Sequence, residues 1–193
     1  MLDFDLMNVF NGFIKNYINF NLKKDSIKFY IVKQETRYFI MLGQLLGYSV
    51  IYKGLNENDK IASNKIELSW KDNDFNKMAS GVTKLQLFRE NDLENDLSAI
   101  QNLLNKVKEN PNCVYIQIIE TSSKTRIDYL NNIIATSTTG IKKDILAIYI
   151  IRDILNDTSY YNAYLFEKGK ITKDKVGICY SDAVGNMKGI FKV

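Results

Sequence analysis

The chain of 193 residues contains no histidine, one proline and two cysteines. Without histidine, the usual Ser–His–Asp and Cys–His arrangements have no general base, so nucleophilic catalysis of that kind is excluded. The two thiols, Cys113 and Cys179, stand far apart inside apolar runs. They offer no zinc spacing and read chiefly as buried small hydrophobes rather than as a disulfide. One proline and ten glycines leave no room for a long linker. The hydroxyl-rich stretch Thr136-Ser137-Thr138-Thr139-Gly140 lacks the glycine and lysine spacing of a phosphate-binding loop. No apolar run reaches the ~20 residues that a membrane helix needs. The opening Met1-Leu2-Asp3-Phe4-Asp5 carries two acids where a secretion signal needs positive charge. These absences predict a cytoplasmic, reduced protein with no membrane partner.

What is present suits a single domain over residues 1–193. A chain of this size buries roughly 70% of its unfolded surface and needs no disulfide or metal to fold. Its net charge of +4 and pI near 8.8 are mildly basic. That balance permits nucleic-acid contact but is weaker than the footprint of a dedicated binder.

Residues 5–21 place Leu6, Val9, Phe10, Phe13, Ile14 and Tyr17 at helical steps. A second helix is predicted from a cap at Asp25 or Ser26 to a stop at Gly47. Three strands follow, over residues 48–53, 65–70 and 83–89. An amphipathic helix over 93–109 leads to a nearly all-apolar strand over 113–119, of the kind buried on both faces. A short helix over 125–134 and strands over 145–151, 160–166, 176–180 and 189–193 complete the reading. Three strands in series suggest an antiparallel meander. The strand–helix–strand unit over 83–119 suggests a right-handed parallel crossover. The fold class is therefore α/β (α+β), a mixed central sheet flanked by helices.

The acids carry the functional signal. Glu67 sits mid-strand between two apolar residues, where a carboxylate is not needed for folding. Glu90 ends the next strand with the parity of Gln86 and Phe88. Two carboxylates leaving neighbouring strands on one face can converge on a divalent cation, which polarises a phosphoryl oxygen and acidifies bound water. An exposed strand position is the alternative for Glu67. Asp92 and Glu94 fit the start of the next helix, where acids complement the dipole. Glu35, near Arg37, reads as a surface ion pair or as an accessory helix acid.

In this order, helix acid then two strand acids, the chain resembles the PD-(D/E)xK nuclease superfamily with its restriction-endonuclease-like fold. The resemblance covers a core over residues 26–119, with an N-terminal helix over 1–25 and C-terminal strands over 141–193. Leu42 to Val50 resembles the family's opening helix and its turn into the first strand. Ile66-Glu67-Leu68-Ser69-Trp70 resembles the strand bearing the metal-binding acid, and Leu85 to Asn91 the next strand. The resemblance implies Mg²⁺ (or Mn²⁺) held by Glu67 and Glu90, with Glu35 as accessory acid. The third motif departs from the family pattern, because Phe88 or Asp92 stands where a lysine is expected. Lys84 is the substitute candidate to orient water.

Two functions follow. One is a metal-dependent nuclease acting on DNA or RNA. The other is a catalytically inactive nuclease-like module that binds nucleic acid or a protein partner, as an accessory protein of a mobile element or defence system. Arg89, Lys142, Lys143, Lys168 and Lys170 are the candidate phosphate contacts. Self-association is compatible with either function.

Overall fold

Asp5 starts the first helix by accepting the backbone N–H of Met7 at 2.9 Å. This helix, α1 (Leu6–Lys15), stops earlier than its apolar period suggests. The Asn16 side chain donates back to Gly12 O at 2.8 Å, and the chain tightens into a 3₁₀ turn over Tyr17–Phe20. Side-chain amides that compete for backbone partners are the physical reason. Helix α2 (Lys28–Leu45) is capped by Ile27 without a side-chain bond. The expected cap residue Ser26 instead accepts the N–H of Lys23. Gly47, at φ +85°, ends the turn after α2 as predicted.

The computed structural model describes residues 5–55, 65–72 and 81–192. Strands β1 (Ser49–Lys53), β2 (Lys65–Lys71) and β3 (Thr83–Glu90) are followed by α3 (Asp96–Glu109), β4 (Val114–Glu120) and α4 (Lys124–Ser137). Strands β5 (Ile145–Asp153), β6 (Thr158–Glu167), β7 (Lys170–Ser181) and β8 (Met187–Phe191) complete one eight-stranded sheet in sequential order. The meander β1–β2–β3 is antiparallel, β3–β4–β5 are parallel and β5 to β8 are antiparallel again. The protein is thus α/β with a mixed sheet flanked by helices.

Successive right-handed crossovers stepping in one direction leave their helices on one face. Accordingly α3 and α4 pack with Phe88, Tyr115, Ile119 and Tyr149. Helices α1 and α2 pack on the other face with Trp70, Leu87, Ile118 and Tyr161. Strand alternation assigns every β-residue to one of these two layers.

Strand β7 begins six residues before its predicted start, because Lys170–Lys175 has no apolar pattern. It is strand because a two-residue turn, Lys168-Gly169, zips it onto β6. Both turn residues have positive φ, +53° and +79°, the geometry that matches strand twist in tight hairpins.

Trp70 is fully buried and stacks on Tyr48 at 5.8 Å. It fits because α2 has a glycine beneath it. A Cβ on Gly43 would lie 2.6 Å from the indole nitrogen. Gly43→Ala gains about 1 kcal/mol of helix propensity but overpacks the indole at a cost of about 1–3 kcal/mol. The expected outcome is a lower urea midpoint, and an unchanged or higher midpoint would show that Trp70 yields freely.

Candidate functional site

The register places Glu67 opposite Phe88, and Lys65 opposite Glu90. Glu67 and Glu90 therefore leave the same face of the sheet, on the α3 side. Both line a cleft of about 90 Å³ together with Lys65, Phe88 and Gln117. Glu67 is exposed, whereas Glu90 is 2% exposed. One Glu90 oxygen accepts the N–H of Asp92 at 3.1 Å. The other lies 3.8 Å from Lys65 Nζ and makes no hydrogen bond. Gln117 Oε1 is likewise buried without a donor. Phe88 stands between Glu67 and Gln117 and stacks on Tyr115. Among the described residues there is no group of three or more His, Cys, Asp or Glu side chains placed to hold a metal.

Glu35 is not brought to this cleft. It lies on the buried α2 stripe of Val32, Glu35, Thr36, Phe39 and Gly43, on the opposite face. The surface-pair expectation is overturned here, because that spacing of three and four residues turns Glu35 under the sheet. Its carboxylate meets Arg89 Nη2 at 2.6 Å, both side chains being at most 1% exposed. It also accepts the hydroxyls of Tyr17, at 2.6 Å, and Tyr161. Burial alone would raise its pKa, but Arg89, Arg152 and the two hydroxyls outweigh burial and hold it below the ordinary carboxylate value. Tyr17 and Tyr161 are pushed well up by burial and by Glu35, so both keep their protons.

A second polar group adjoins the first at the carboxyl ends of β3, β4 and β5. Glu120 accepts from Arg152 Nε at 2.8 Å and from Lys28 at 2.7 Å. Lys28 also donates to Asn91 O at 2.7 Å, and Arg89 Nε donates to the Asn91 side chain at 2.7 Å. Lys28, Asn91, Glu120, Arg152 and Tyr17 were not legible as site residues. Only the parity of Glu120 with Ile116 and Ile118 hints that it enters the α2 layer.

The remaining predicted residues scatter. Lys84 pairs with Asp72 at 2.8 Å. It is six residues from Glu90 along β3, about 20 Å at strand rise. Arg89, read as a phosphate contact, is 2% exposed and committed to Glu35. Lys142, Lys143, Lys168 and Lys170 come together at the opposite end of the sheet. There the β6–β7 turn packs on the end of α4, with Gly169 against Ala135 and Thr139. Cys113 and Cys179 are free, buried thiols as expected. Burial pushes Cys113 up to about 12. Asp92 caps the turn before α3 by accepting the N–H of Glu94 at 3.1 Å.

No protein-family model matches the chain, and no curated protein does either. Among solved structures it is similar to the central domain of yeast acetyl-CoA carboxylase, at 12% identity and a TM-score of 0.41. The match covers 82% of this chain and 26% of that one. The chain thus spans about a quarter of the length it matches, and a likeness this low carries neither fold nor function across.

The Glu35 pair sets a pH dependence. A carboxylate whose folded pKa lies below its ordinary value of 4.5 stabilises the fold above that pH, and the contribution is lost as pH falls through the folded pKa. Urea midpoints of the wild type should therefore fall on acidification below about pH 5, and Glu35→Gln should flatten that fall. Arg89→Met should cost about 3–5 kcal/mol at neutral pH by leaving the carboxylate unpaired. A wild-type acid profile identical to that of Glu35→Gln would refute the assignment.

Proposed function

We propose that this protein is a nuclease-like module that does not cut, and that it binds the phosphate backbone of nucleic acid along one rim of its sheet. The observation that carries the reading is the gathering of lysines at the end of the sheet where β4 and β5 begin. Lys142 and Lys143 precede β5, Lys168 lies in the β6–β7 turn and Lys170 follows it. Lys71 of β2 and Lys84 of β3 lie along the same rim by register. Lys106 and Lys108 project from the last turn of α3, whose end is tied to β4 by the Tyr115 hydroxyl on Lys106 O at 2.7 Å. Asp72, Glu109, Asp144 and Glu167 are interspersed. Eight lysines against four acids leave a surplus of four positive charges. From β2 to β7 the rim spans about 24 Å at ordinary strand spacing, long enough to follow several phosphates. Helix C-termini also favour lysines, but Lys168 and Lys170 belong to a hairpin and are not explained by a helix dipole.

The absence of cutting is supported by three features. Phe88, where the family pattern wants lysine, is buried against Tyr115. Glu35 is neutralised by Arg89 on the other face. Glu90 is buried and out of reach of a phosphodiester. The nuclease-like ancestry is supported by the element order α2–β1–β2–β3–α3–β4, the order that the resemblance implies.

A second reading, a metal-dependent nuclease, is favoured by one specific observation. Glu67, Glu90 and Lys65 share a cleft, so a lysine from β2 stands beside the acid that lacks one on β3. Mg²⁺ with two carboxylates and several waters is an ordinary arrangement.

Fluorescence anisotropy with labelled duplex and single-stranded oligonucleotides across a KCl series tests the first reading. Each lysine that meets a phosphate contributes about 0.9 to the duplex salt slope. Replacing Lys142, Lys143, Lys168 and Lys170 by glutamine should therefore flatten the slope by about 3–4. Binding with an unchanged slope would reject the rim. Plasmid incubated with Mg²⁺ or Mn²⁺ should stay intact. Metal-dependent nicking that disappears in Glu67→Ala would replace the first reading with the second.

A further inference from the structure

The sheet has two edges, and they are finished differently. At β8 the backbone of residues 22–24 covers the start of the edge. Met187 N–H donates to Leu22 O at 3.0 Å, Lys24 N–H donates to Gly185 O at 2.9 Å, and Lys23 bridges Asn186. At β1 the ladder runs to β2 alone. Among the described residues no other backbone group bonds to Ser49–Lys53. A strand edge left in this state is a row of donors and acceptors that recruits another strand.

The usual guards of an open edge are missing from β1. It has no proline, its ladder with β2 is unbroken by a bulge, and its only charge is Lys53 at the end. Four of its five residues are exposed, among them Ile51, at 46%, and Tyr52. The end of α2 that feeds the strand adds Leu45, 82% exposed, and Leu46. Apolar surface thus accompanies the unpaired backbone.

The strand is also compatible with itself. In an antiparallel pair centred on Ile51, Val50 meets Tyr52 of the other copy and Ile51 meets its own twin. Val50 and Tyr52 share the α2 side through their partners Trp70 and Leu68, and Ile51 shares the other side with Ser69, so every pair meets on one face. Lys53 meets the neutral Ser49. It lies one strand from Glu67 of its own β2 and two from Lys71 of the other copy, so its nearest charge is an acid. Helix α2 crosses β2 where Gly43 lies against Trp70. The two α2 helices would stand three strand spacings apart, about 14 Å, clear of the roughly 8–10 Å at which helices touch.

We propose that β1 pairs antiparallel with β1 of a second copy of this chain, about a two-fold axis through Ile51 and perpendicular to the sheet. The contact is isologous, joins two eight-stranded sheets into one, and keeps the helices of both copies in their layers. Five ladder residues and a few apolar side chains bury less than the roughly 800 Å² per partner of a standard interface, so the dimer is weak and exchanging. It is independent of the nucleic-acid reading, because it shares no residue with the rim.

Sedimentation equilibrium of the full chain from roughly 5 to 500 µM should show monomer–dimer exchange, with a Kd on the order of 10–100 µM. Ile51→Lys and Ile51→Glu each set like charges face to face on the axis and should each raise the Kd more than about tenfold. Their equimolar mixture should recover the wild-type Kd or better, because opposite charges then meet. Should either variant fold poorly, Ile51→Cys supplies a second measurement, since Cys113 and Cys179 are buried. Paired residues on the axis have Cα atoms about 4.5–5.5 Å apart, within disulfide reach, so copper-phenanthroline oxidation should trap a covalent dimer quickly. Lys53→Cys places the two thiols about 14 Å apart by strand rise and should trap far more slowly. A wild type that stays monomeric at the highest concentration would overturn the self-pairing and leave the edge to another protein's strand. A dimer that persists in Ile51→Lys, a mixture without rescue, or equal trapping at both positions would overturn the axis.

Discussion

The buried charge of Glu35 is the constraint on which the rest of this structure depends. A carboxylate beneath a sheet is tolerable only when it is paired and fully hydrogen-bonded. Arg89 of β3 supplies the opposite charge, Tyr17 of the N-terminal turn and Tyr161 of β6 supply hydroxyls, and the four groups belong to four separate elements. The pair therefore sets how α2 lies across the sheet. Phe13 then stacks on Phe39 and meets Tyr161 edge-on, each at 5.5 Å between ring centroids. Removing either charge leaves the other stranded, so the polar group and the apolar layer stand or fall together.

The same constraint decides the chemistry. A side chain's face follows from strand parity, and the sheet divides the acids accordingly. Glu67 and Glu90 go to the α3 layer, while Glu35 and Glu120 go to the α2 layer. Three acids that read as one metal cluster along the chain become two groups separated by the thickness of a sheet. On the α2 side the acids are balanced by Arg89, Arg152 and Lys28, and the unused donors there exceed the unused acceptors. On the α3 side the unpartnered atoms include carbonyl and carboxylate oxygens of Gln86, Glu90 and Gln117.

Much of the fold was legible because local rules and tertiary packing agree. The meander, the parallel crossover through α3 and the nearly all-apolar β4 follow from period-two and period-3.6 patterns. The elements that slipped are those where side-chain amides or hairpin pairing overrode the pattern. Asn16 shortens α1, and β7 extends over polar residues because β6 recruits them. The site was less legible. Glu67 and Glu90 sharing a face follows from parity, but Glu35 was misread because Arg37 nearby is polar, although Val32, Phe39 and Gly43 lie on its own stripe. Tyr161 could not be placed, since its partner Glu35 lies more than a hundred residues away in the chain.

By itself the sequence determined the class of fold, the identity of most strands and helices, the reduced thiols and the exclusion of histidine chemistry. These depend on composition and on contacts within a few residues. Only the tertiary structure decided which acids meet, that Arg89 is buried rather than presented to phosphates, and that lysines from α3, β5 and the β6–β7 turn share one rim. Those outcomes depend on sheet register and crossover handedness, which bring distant residues together and which no local pattern encodes.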